Sequence, residues 1–162
     1  PHFMSLQSVY RQRHSTETAL LHVMNSIYGA ADARQGTVLV GLDISAAFDI
    51  IIHDVLLERL DVKFGVRRNA ASWLAPYLDG REQFIKIGLH SSTARPCVTG
   101  VPQGLVLGPL LFFAYVAPVG DLIQSHGVNY HQFADDTQLY VAMDTADTEP
   151  ALNRLARCSE SV

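Results

Sequence analysis

Three aspartates are the residues of this sequence best suited to chemistry. Asp43 ends the apolar segment 37–43, and Asp135 and Asp136 stand side by side between two further apolar segments. A carboxylate at the end of an apolar strand is costly unless it meets a cation or a hydrogen-bond donor. Carboxylates that converge repel one another, and a hard divalent cation such as Mg²⁺ relieves that repulsion. The acids therefore indicate a metal site, while simple turn chemistry stays an alternative for the adjacent pair.

Segment 99–109, TGVPQGLVLGP, is a second candidate for ligand binding. Glycines and prolines bracket a turn around Gln103, whose amide offers both hydrogen-bond donors and an acceptor. Glycine lets the backbone approach a flat or charged ligand closely. The plainer interpretation is a helix start with a glycine hinge, and the segment alone does not decide between the two.

The periodicity of apolar residues predicts the elements that hold these groups. A helix is expected from Ser15 to about residue 33, with Ser15 or Thr16 as its N-cap and Gly36 as its stop. Segment 37–43 predicts a buried strand. The other expected elements are helices at 53–60, 67–78 and 106–115, paired strands at 83–87 and 91–98, hairpin strands at 129–134 and 137–141, and a last helix from about 148. Without a regular βαβ order, this pattern predicts an α+β fold with a mostly antiparallel sheet.

Strand geometry limits how the acids meet. Successive side chains of a strand point to opposite faces of the sheet. Only one of Asp135 and Asp136 can therefore share a face with Asp43, and the other must reach round the turn.

Composition bounds the class of protein. A chain of 162 residues with 48% hydrophobic and 17% charged residues is typical of a globular domain. Its longest apolar run, 105–117, is too short to span a bilayer. Cys97 and Cys158 form neither a disulfide framework nor a zinc spacing, which favours a reducing compartment. The net charge of −4 is unusual for a protein that binds nucleic acid.

Hydrolase motifs are absent from the sequence. It contains no GxSxG, HExxH or Walker A pattern. The seven histidines are scattered, and His126 and His131 are predicted to be surface or packing residues.

Three segments resemble, in order, the palm motifs of reverse transcriptases, most closely those of non-LTR, LINE-type retrotransposons. They are LDISAAFD at 42–49, GVPQGLVLGPLLF at 100–112 and FADDTQLY at 133–140. The segments QSVYRQRHSTETAL at 7–20 and HDVLLERL at 53–60 extend the resemblance over nearly the whole chain. It implies an α+β polymerase palm, a mostly antiparallel sheet flanked by helices, with partial fingers and no thumb. The chain would then be one reverse transcriptase domain fragment, in which 1–36 lead from fingers to palm and 37–162 form the palm.

The resemblance also implies a role for each acid of the predicted metal site. Asp43 and Asp135 would ligate two catalytic Mg²⁺ ions, with Asp136 assisting, and Mn²⁺ could substitute. Asp49 is expected to make structural hydrogen bonds.

Nucleotide contacts follow from the same resemblance. Phe48 matches the aromatic residue under the incoming sugar that screens out a 2′-hydroxyl, although a lone phenylalanine mostly indicates core packing. Gln103 and Gly104 would line the nucleotide pocket. Arg11 would contact phosphate, or else be a solvated surface charge.

The implied activity is RNA-directed DNA synthesis with an RNA template, a DNA primer and deoxynucleotides (dNTPs) as partners and no membrane. The implied location is intracellular, in nucleus and cytoplasm. The fragment alone is expected to be weakly active or inactive, because the basic thumb and most of the basic fingers lie outside it. An inactive remnant and a palm-fold module that binds protein or RNA without catalysis are the alternatives.

This copy departs from the family pattern in three places. Leu105 replaces a small residue after PQG, three isoleucines at 50–52 replace a segment that includes an acid, and 116–118 lack two polar residues. None of these changes removes a predicted metal ligand.

Overall fold

The computed structural model describes residues 6–8 and 12–162. Within them the chain forms α1 (Thr16–Asp32), β1 (Gly36–Leu42), α2 (His53–Phe64), α3 (Asn69–Leu78), β2 (Glu82–Gln83), β3 (Lys86–Ile87), β4 (His90–Ser91), β5 (Arg95–Pro96), α4 (Leu107–Ser125), β6 (Asn129–Phe133), β7 (Asp136–Met143) and α5 (Glu149–Ser161). All the strand pairs are antiparallel. The predicted α+β class is thereby confirmed.

These elements belong to two compact units. Pro1–Ser45 and Val116–Val162 form one, called the sheet unit below, and Ala46–Tyr115 form the other, called the loop unit. The predicted division at residues 36 and 37 concerned fingers and palm, and it stays a prediction.

A three-stranded sheet of order β1-β7-β6 is the centre of the sheet unit. One face carries Leu139 and Val141 of β7, which pack with Leu155 and Cys158 of α5 in a buried cluster. β1 was predicted to be buried, and this was wrong: it is an edge strand of the sheet, and Leu39 on the opposite face is 48% exposed. Its Val38, Val40 and Leu42 pack against the α5 cluster.

Helix α1 begins as its sequence predicts. The Ser15 hydroxyl accepts from the Thr18 amide at 3.3 Å, and the Ser15 amide donates to the Thr18 hydroxyl at 2.8 Å. This reciprocal capping box satisfies two backbone donors that a helix start leaves open. The hydrogen bond from Ser15 also lowers the pKa of the exposed Glu17 carboxyl in the first turn. The helix ends at Asp32, and Gly36 begins β1 instead of stopping α1.

In the loop unit, α2 and α3 pack through Leu56, Leu60, Leu74 and Leu78, which are all buried. The predicted strands 83–87 and 91–98 do pair, but only as two short pieces, β2 with β5 and β3 with β4. Every residue of these four strands is exposed. A longer ladder would need a buried hydrophobic face, and the apolar side chains of this segment, among them Phe84, Ile85 and Ile87, are exposed.

Helix α4 is ten residues longer than predicted at its C-terminal end and continues through Pro118. A proline inside a helix removes one backbone hydrogen bond. Buried neighbours, among them Val116, Ala117 and Ile123, offset this loss by packing. Among the described residues α4 is also the one helix long and apolar enough to cross a membrane, but half of its apolar stretch is buried, as in core helices.

The sheet makes a matched test of burial possible. Leu139 is fully buried, whereas Leu39 on the other face is 48% exposed. Leu139→Ala should lower the free energy of unfolding by about 3 kcal/mol, because the cavity adds to the lost hydrophobic transfer. Leu39→Ala should cost less than about 1 kcal/mol. Urea unfolding of both variants checks this, and equal losses would contradict the described packing.

Candidate active site

The strand register brings two of the three predicted acids to the same end of the sheet. Leu42, the last residue of β1, pairs with Thr137 of β7. Asp43 directly follows Leu42, and Asp136 directly precedes Thr137. Asp43 and Asp136 therefore flank the last pair of this ladder, at the same end of the sheet.

Asp135 lies in the turn that joins β6 to β7. Phe133 pairs with Asp136, so Ala134 and Asp135 form a two-residue hairpin turn. Ala134 has a φ of +58°, a left-handed conformation that costs an alanine about 1–2 kcal/mol. Tight hairpins require such a backbone, which glycine or asparagine usually supplies. The strain sits directly between the strand and the two acids.

Buried polar groups hold this hairpin in place. Gln7 is fully buried, and its Nε2 donates to the Ala134 carbonyl oxygen at 3.2 Å. Gln132 Nε2 donates to the Thr137 hydroxyl at 3.1 Å, across the pair next to the turn. The amide of Ser8 donates to the Gln132 carbonyl at 3.0 Å, which ties segment 6–8 to β6. A polar residue such as Gln7 carries no apolar periodicity, so this support could not be predicted from the sequence.

His131 of β6 is a packing residue, as predicted. Its Nε2 lies 2.9 Å from the Ser8 hydroxyl, and its ring centroid lies 5.1 Å from that of His22. Burial lowers the pKa of His131, and His22 and His14 lower it further. The ring therefore stays neutral at pH 7, and β6 places no histidine cation beside the acids.

The three acids differ in exposure. Asp43 and Asp136 are exposed, and Asp135 is partly buried. Across residues 6–8 and 12–162, no three His, Cys, Asp or Glu side chains are placed closely enough to hold a metal ion. Convergence of all three acids on one ion thus stays a prediction. Their chemistry fits a hard cation, since carboxylates are oxygen ligands and Asp43 and Asp136 are exposed at neighbouring strand ends.

In the loop unit, the glycine-rich segment packs on the segment that follows Asp43. The Gly100 amide donates to the Ile51 carbonyl and the Val101 amide to the Phe48 carbonyl, both at 2.8 Å. Gly100 has a φ of +80°, and a Cβ there would lie 2.9 Å from the Cα of Asp49. Only glycine allows this approach, so two motifs that are about fifty positions apart form one structure.

Two side chains brace this contact from outside the motifs. The carbonyl oxygen of Gly100 accepts from His53 Nε2 at 2.8 Å and from the Arg81 guanidinium. Arg81 also donates to the Leu78 carbonyl at 2.9 Å. The sequence did not point to Arg81, because no spacing rule connects it to Gly100.

The predicted nucleotide-pocket residues also lie in the loop unit. The ring centroids of Phe48 and Phe112 lie 5.3 Å apart, so Phe48 has a packing role. Gln103 and Gly104 are exposed, and Gln103 Nε2 donates to Asp49 Oδ1 at 3.0 Å. Asp49 thus makes the kind of hydrogen bond expected of it. Arg11, the predicted phosphate contact, lies outside the described residues.

The departures at 50–52 and 105 fit the packing. Ile51 is fully buried, while Ile50 and Ile52 are about half exposed, at 49% and 48%. Leu105 is 53% exposed, so its bulk is not buried in the protein.

Charge is distributed unevenly between the units. The sheet unit holds ten of the 16 acidic residues and only five of the 12 basic ones. The acidic balance of the chain is therefore concentrated in the unit that carries the three acids, where a cation would reduce it most.

The match to known proteins agrees with this geometry. Residues 1–162 match the family described as "Reverse transcriptase (RNA-dependent DNA polymerase)". The chain belongs to this family. The similarity covers both units, so the acids and the glycine-rich segment fall within one family domain.

Relatives of this reverse transcriptase chain come from mobile elements of Drosophila. It is 32% identical over 108 residues to the "Probable RNA-directed DNA polymerase from transposon BS" of Drosophila melanogaster, covering 67% of this chain and 12% of that protein. It is 35% identical over 106 residues to the corresponding X-element protein, covering 65% and 12%. For the jockey polymerase of the same species the values are 29% over 134 residues, covering 79% and 14%. The predicted resemblance to non-LTR retrotransposon polymerases is confirmed, and the chain spans only 12–14% of these relatives.

The two glycines of the motif allow a matched test. Gly104 has a φ of +77° with open space around its Cβ position, whereas Gly100 combines a φ of +80° with the close approach to Asp49. Gly104→Ala should cost about 1 kcal/mol of unfolding free energy, from the backbone conformation alone. Gly100→Ala should cost about 3 kcal/mol, because the clash adds to the strain. Denaturant unfolding measures both, and equal costs would show that the approach does not constrain the loop.

Proposed function

We propose that this chain is the metal-binding core of an RNA-directed DNA polymerase, a palm with part of the fingers. The observation that supports the proposal is the register of β1, β7 and β6, in which the strand end before Asp43 and the acidic hairpin lie at the same end of the sheet. These acids fall in the segments that resemble the family's palm motifs, in the same order.

Asp43, Asp135 and Asp136 would hold the catalytic cations, two Mg²⁺ ions for which Mn²⁺ can substitute. When bound, such ions activate the primer 3′-hydroxyl and neutralise the phosphates of the incoming nucleotide. The protein's own part is to supply carboxylate oxygens from a rigid sheet end. The strained turn at Ala134, with its carbonyl held by Gln7, keeps Asp135 close to the sheet.

Phe48, Gln103 and Gly104 would bind the incoming deoxynucleotide. Phe48 would lie under the sugar and exclude a 2′-hydroxyl, and its packing on Phe112 limits how far the ring can move aside. Gln103 would supply polar contacts and Gly104 an open backbone. Arg11 would contact phosphate.

The partners would be an RNA template, a DNA primer and dNTPs, with the sequence copied by base pairing. The acidic charge of the chain fits the cation site better than a strand-gripping surface. Basic regions of the complete polymerase would then bind the nucleic-acid strands. The polymerase would act in the cytoplasm and nucleus of the host.

A second candidate function is binding without catalysis, by the same fold. It is favoured by the placement of the acids, since none of the described ones joins a three-residue metal cluster. The two candidates differ in whether the acids bind divalent ions, and a direct measurement separates them.

Metal binding by the chain itself tests the proposal. Asp43→Asn and Asp135→Asn should each weaken Mn²⁺ binding by at least about tenfold, measured by electron paramagnetic resonance. A loss of about this size is typical even when only a residue that hydrogen-bonds to a metal ligand is changed. Asp147→Asn, at another exposed acid of the sheet unit, removes the same charge and should change affinity little. In the complete polymerase, Asp135→Asn should slow primer extension by about 100-fold or more. Equal affinity in all these variants would favour binding without catalysis.

The proposed role of Phe48 makes a prediction about sugar selection. Phe48→Val should raise incorporation of ribonucleotides relative to deoxynucleotides by about tenfold or more, because it removes bulk at the 2′ position. Phe112→Leu is the control, since it disturbs the same ring packing from the other side. Single-nucleotide extension by the complete polymerase measures the ratio. A similar change in both variants would assign Phe48 to packing alone.

A further inference from the structure

The hydrogen bond between Asp49 and Gln103 fixes the orientation of an exposed amide. Gln103 Nε2 lies 3.0 Å from Asp49 Oδ1. An ionised carboxylate only accepts hydrogen bonds, so the amide must offer its NH₂ group to Asp49. The carbonyl oxygen Oε1 is then turned away, because two oxygens carrying negative charge repel. Chemistry alone thus decides which end of the Gln103 amide faces outward.

Asp49 is itself held firmly. Its backbone amide donates to the Ala46 carbonyl at 2.7 Å, and the neighbouring Phe48 carbonyl accepts from Val101 at 2.8 Å. Gly100 packs directly on the Asp49 backbone. The backbone that carries the Asp49 carboxylate is therefore fixed relative to the loop that carries Gln103.

Both side chains line a cavity of the loop unit with a volume of about 520 Å³. Pockets that bind small molecules commonly measure about 300–1,000 Å³. Arg81 and residues 99–101 line the same cavity. A ligand of nucleotide size would meet the Gln103 amide there.

The hydrogen bond between Asp49 and Gln103 adds little to the stability of the protein. Both residues are exposed, and water competes for their polar groups. Ordering a glutamine side chain also costs rotamer entropy. Orientation of the amide for a ligand accounts for the arrangement better than added stability does.

We propose that Asp49 is a positioning residue for Gln103. It holds the amide so that Oε1 accepts a hydrogen bond from an N–H or O–H group of the nucleotide or of the template base in the pocket. The proposal rests on the proposed function for its ligand, whereas the orientation of the amide does not.

The side-chain amide signals of Gln103 in ¹⁵N-labelled protein test the orientation. Asp49→Ala should shift them strongly and Asp49→Asn less, since asparagine can still accept from the amide. Asp79→Asn, at an exposed acid of the same unit, should leave them unchanged. Unchanged signals in Asp49→Ala would overturn the proposal at this first step.

Titration with a deoxynucleotide and Mg²⁺, and separately with an RNA–DNA template-primer, tests the ligand. One of the two should shift the Gln103 amide in the wild-type chain, and this shows which source supplies the donor. Asp49→Ala should weaken that binding about tenfold. If neither titrant moves the signal, the proposed acceptor role is wrong. Failure of the proposed function would instead show in the Mn²⁺ affinity of the acid variants, which is measured independently.

A double variant supplies the rescue. Gln103→Glu places two carboxylates together and should weaken binding more than Asp49→Ala does. Adding Asp49→Asn restores an amide donor and a carboxylate acceptor with their positions exchanged, and binding should recover. In the complete polymerase, Asp49→Ala should raise the KM for the dNTP about tenfold while kcat changes less than threefold. A fall in kcat alone, or no rescue, would contradict a positioning role.

Discussion

The antiparallel register of β1, β7 and β6 is the constraint on which the rest of the site depends. Side chains alternate along a strand, so a slip of one residue would move every side chain of β1 to the opposite face. Val38, Val40 and Leu42 would lose their contacts with the α5 cluster, and Asp43 would no longer follow the residue that pairs with Thr137. The same register therefore sets both the hydrophobic packing on one face of the sheet and the placement of the acids at one end of it.

This arrangement lets stability and chemistry use different parts of the same strands. The middle of the sheet is held by buried apolar residues such as Leu139 and Val141, whereas its end carries exposed acids and a strained alanine. Strain of this kind persists only where the surroundings enforce it. Gln7 does so with a partly buried hydrogen bond, and Gln132 and Thr137 do so with a buried one. The polar network beside the acids therefore holds a turn that the backbone preference of Ala134 alone would not select.

Much of the fold and of the candidate site could be predicted from the sequence, and the features that were missed or wrongly predicted have physical reasons. Local sequence signals predict three of the elements. Capping residues predict helix α1, alternation predicts the acidic hairpin, and an apolar run predicts the strand before Asp43. The edge position of β1 could not be read that way, because an apolar run does not tell how many neighbours a strand has. The extension of α4 through Pro118 depends on tertiary packing, which outweighs local propensity. The braces from Gln7 and Arg81 are single long-range hydrogen bonds without any periodic signal.

The glycines of the PQG segment show how one motif combines structural and ligand constraints. A Cβ at Gly100 would lie 2.9 Å from the Cα of Asp49, and one at Gly108 would lie 2.8 Å from the Pro102 carbonyl oxygen. Both glycines are therefore required by the protein's own packing. Gly104 differs, since only its φ of +77° asks for glycine and nothing lies within 4 Å of its Cβ position. The fold leaves the space beside Gly104 open. This space lies next to Gln103, whose side-chain amide is hydrogen-bonded to Asp49. A ligand constraint is therefore expected at this end of the loop.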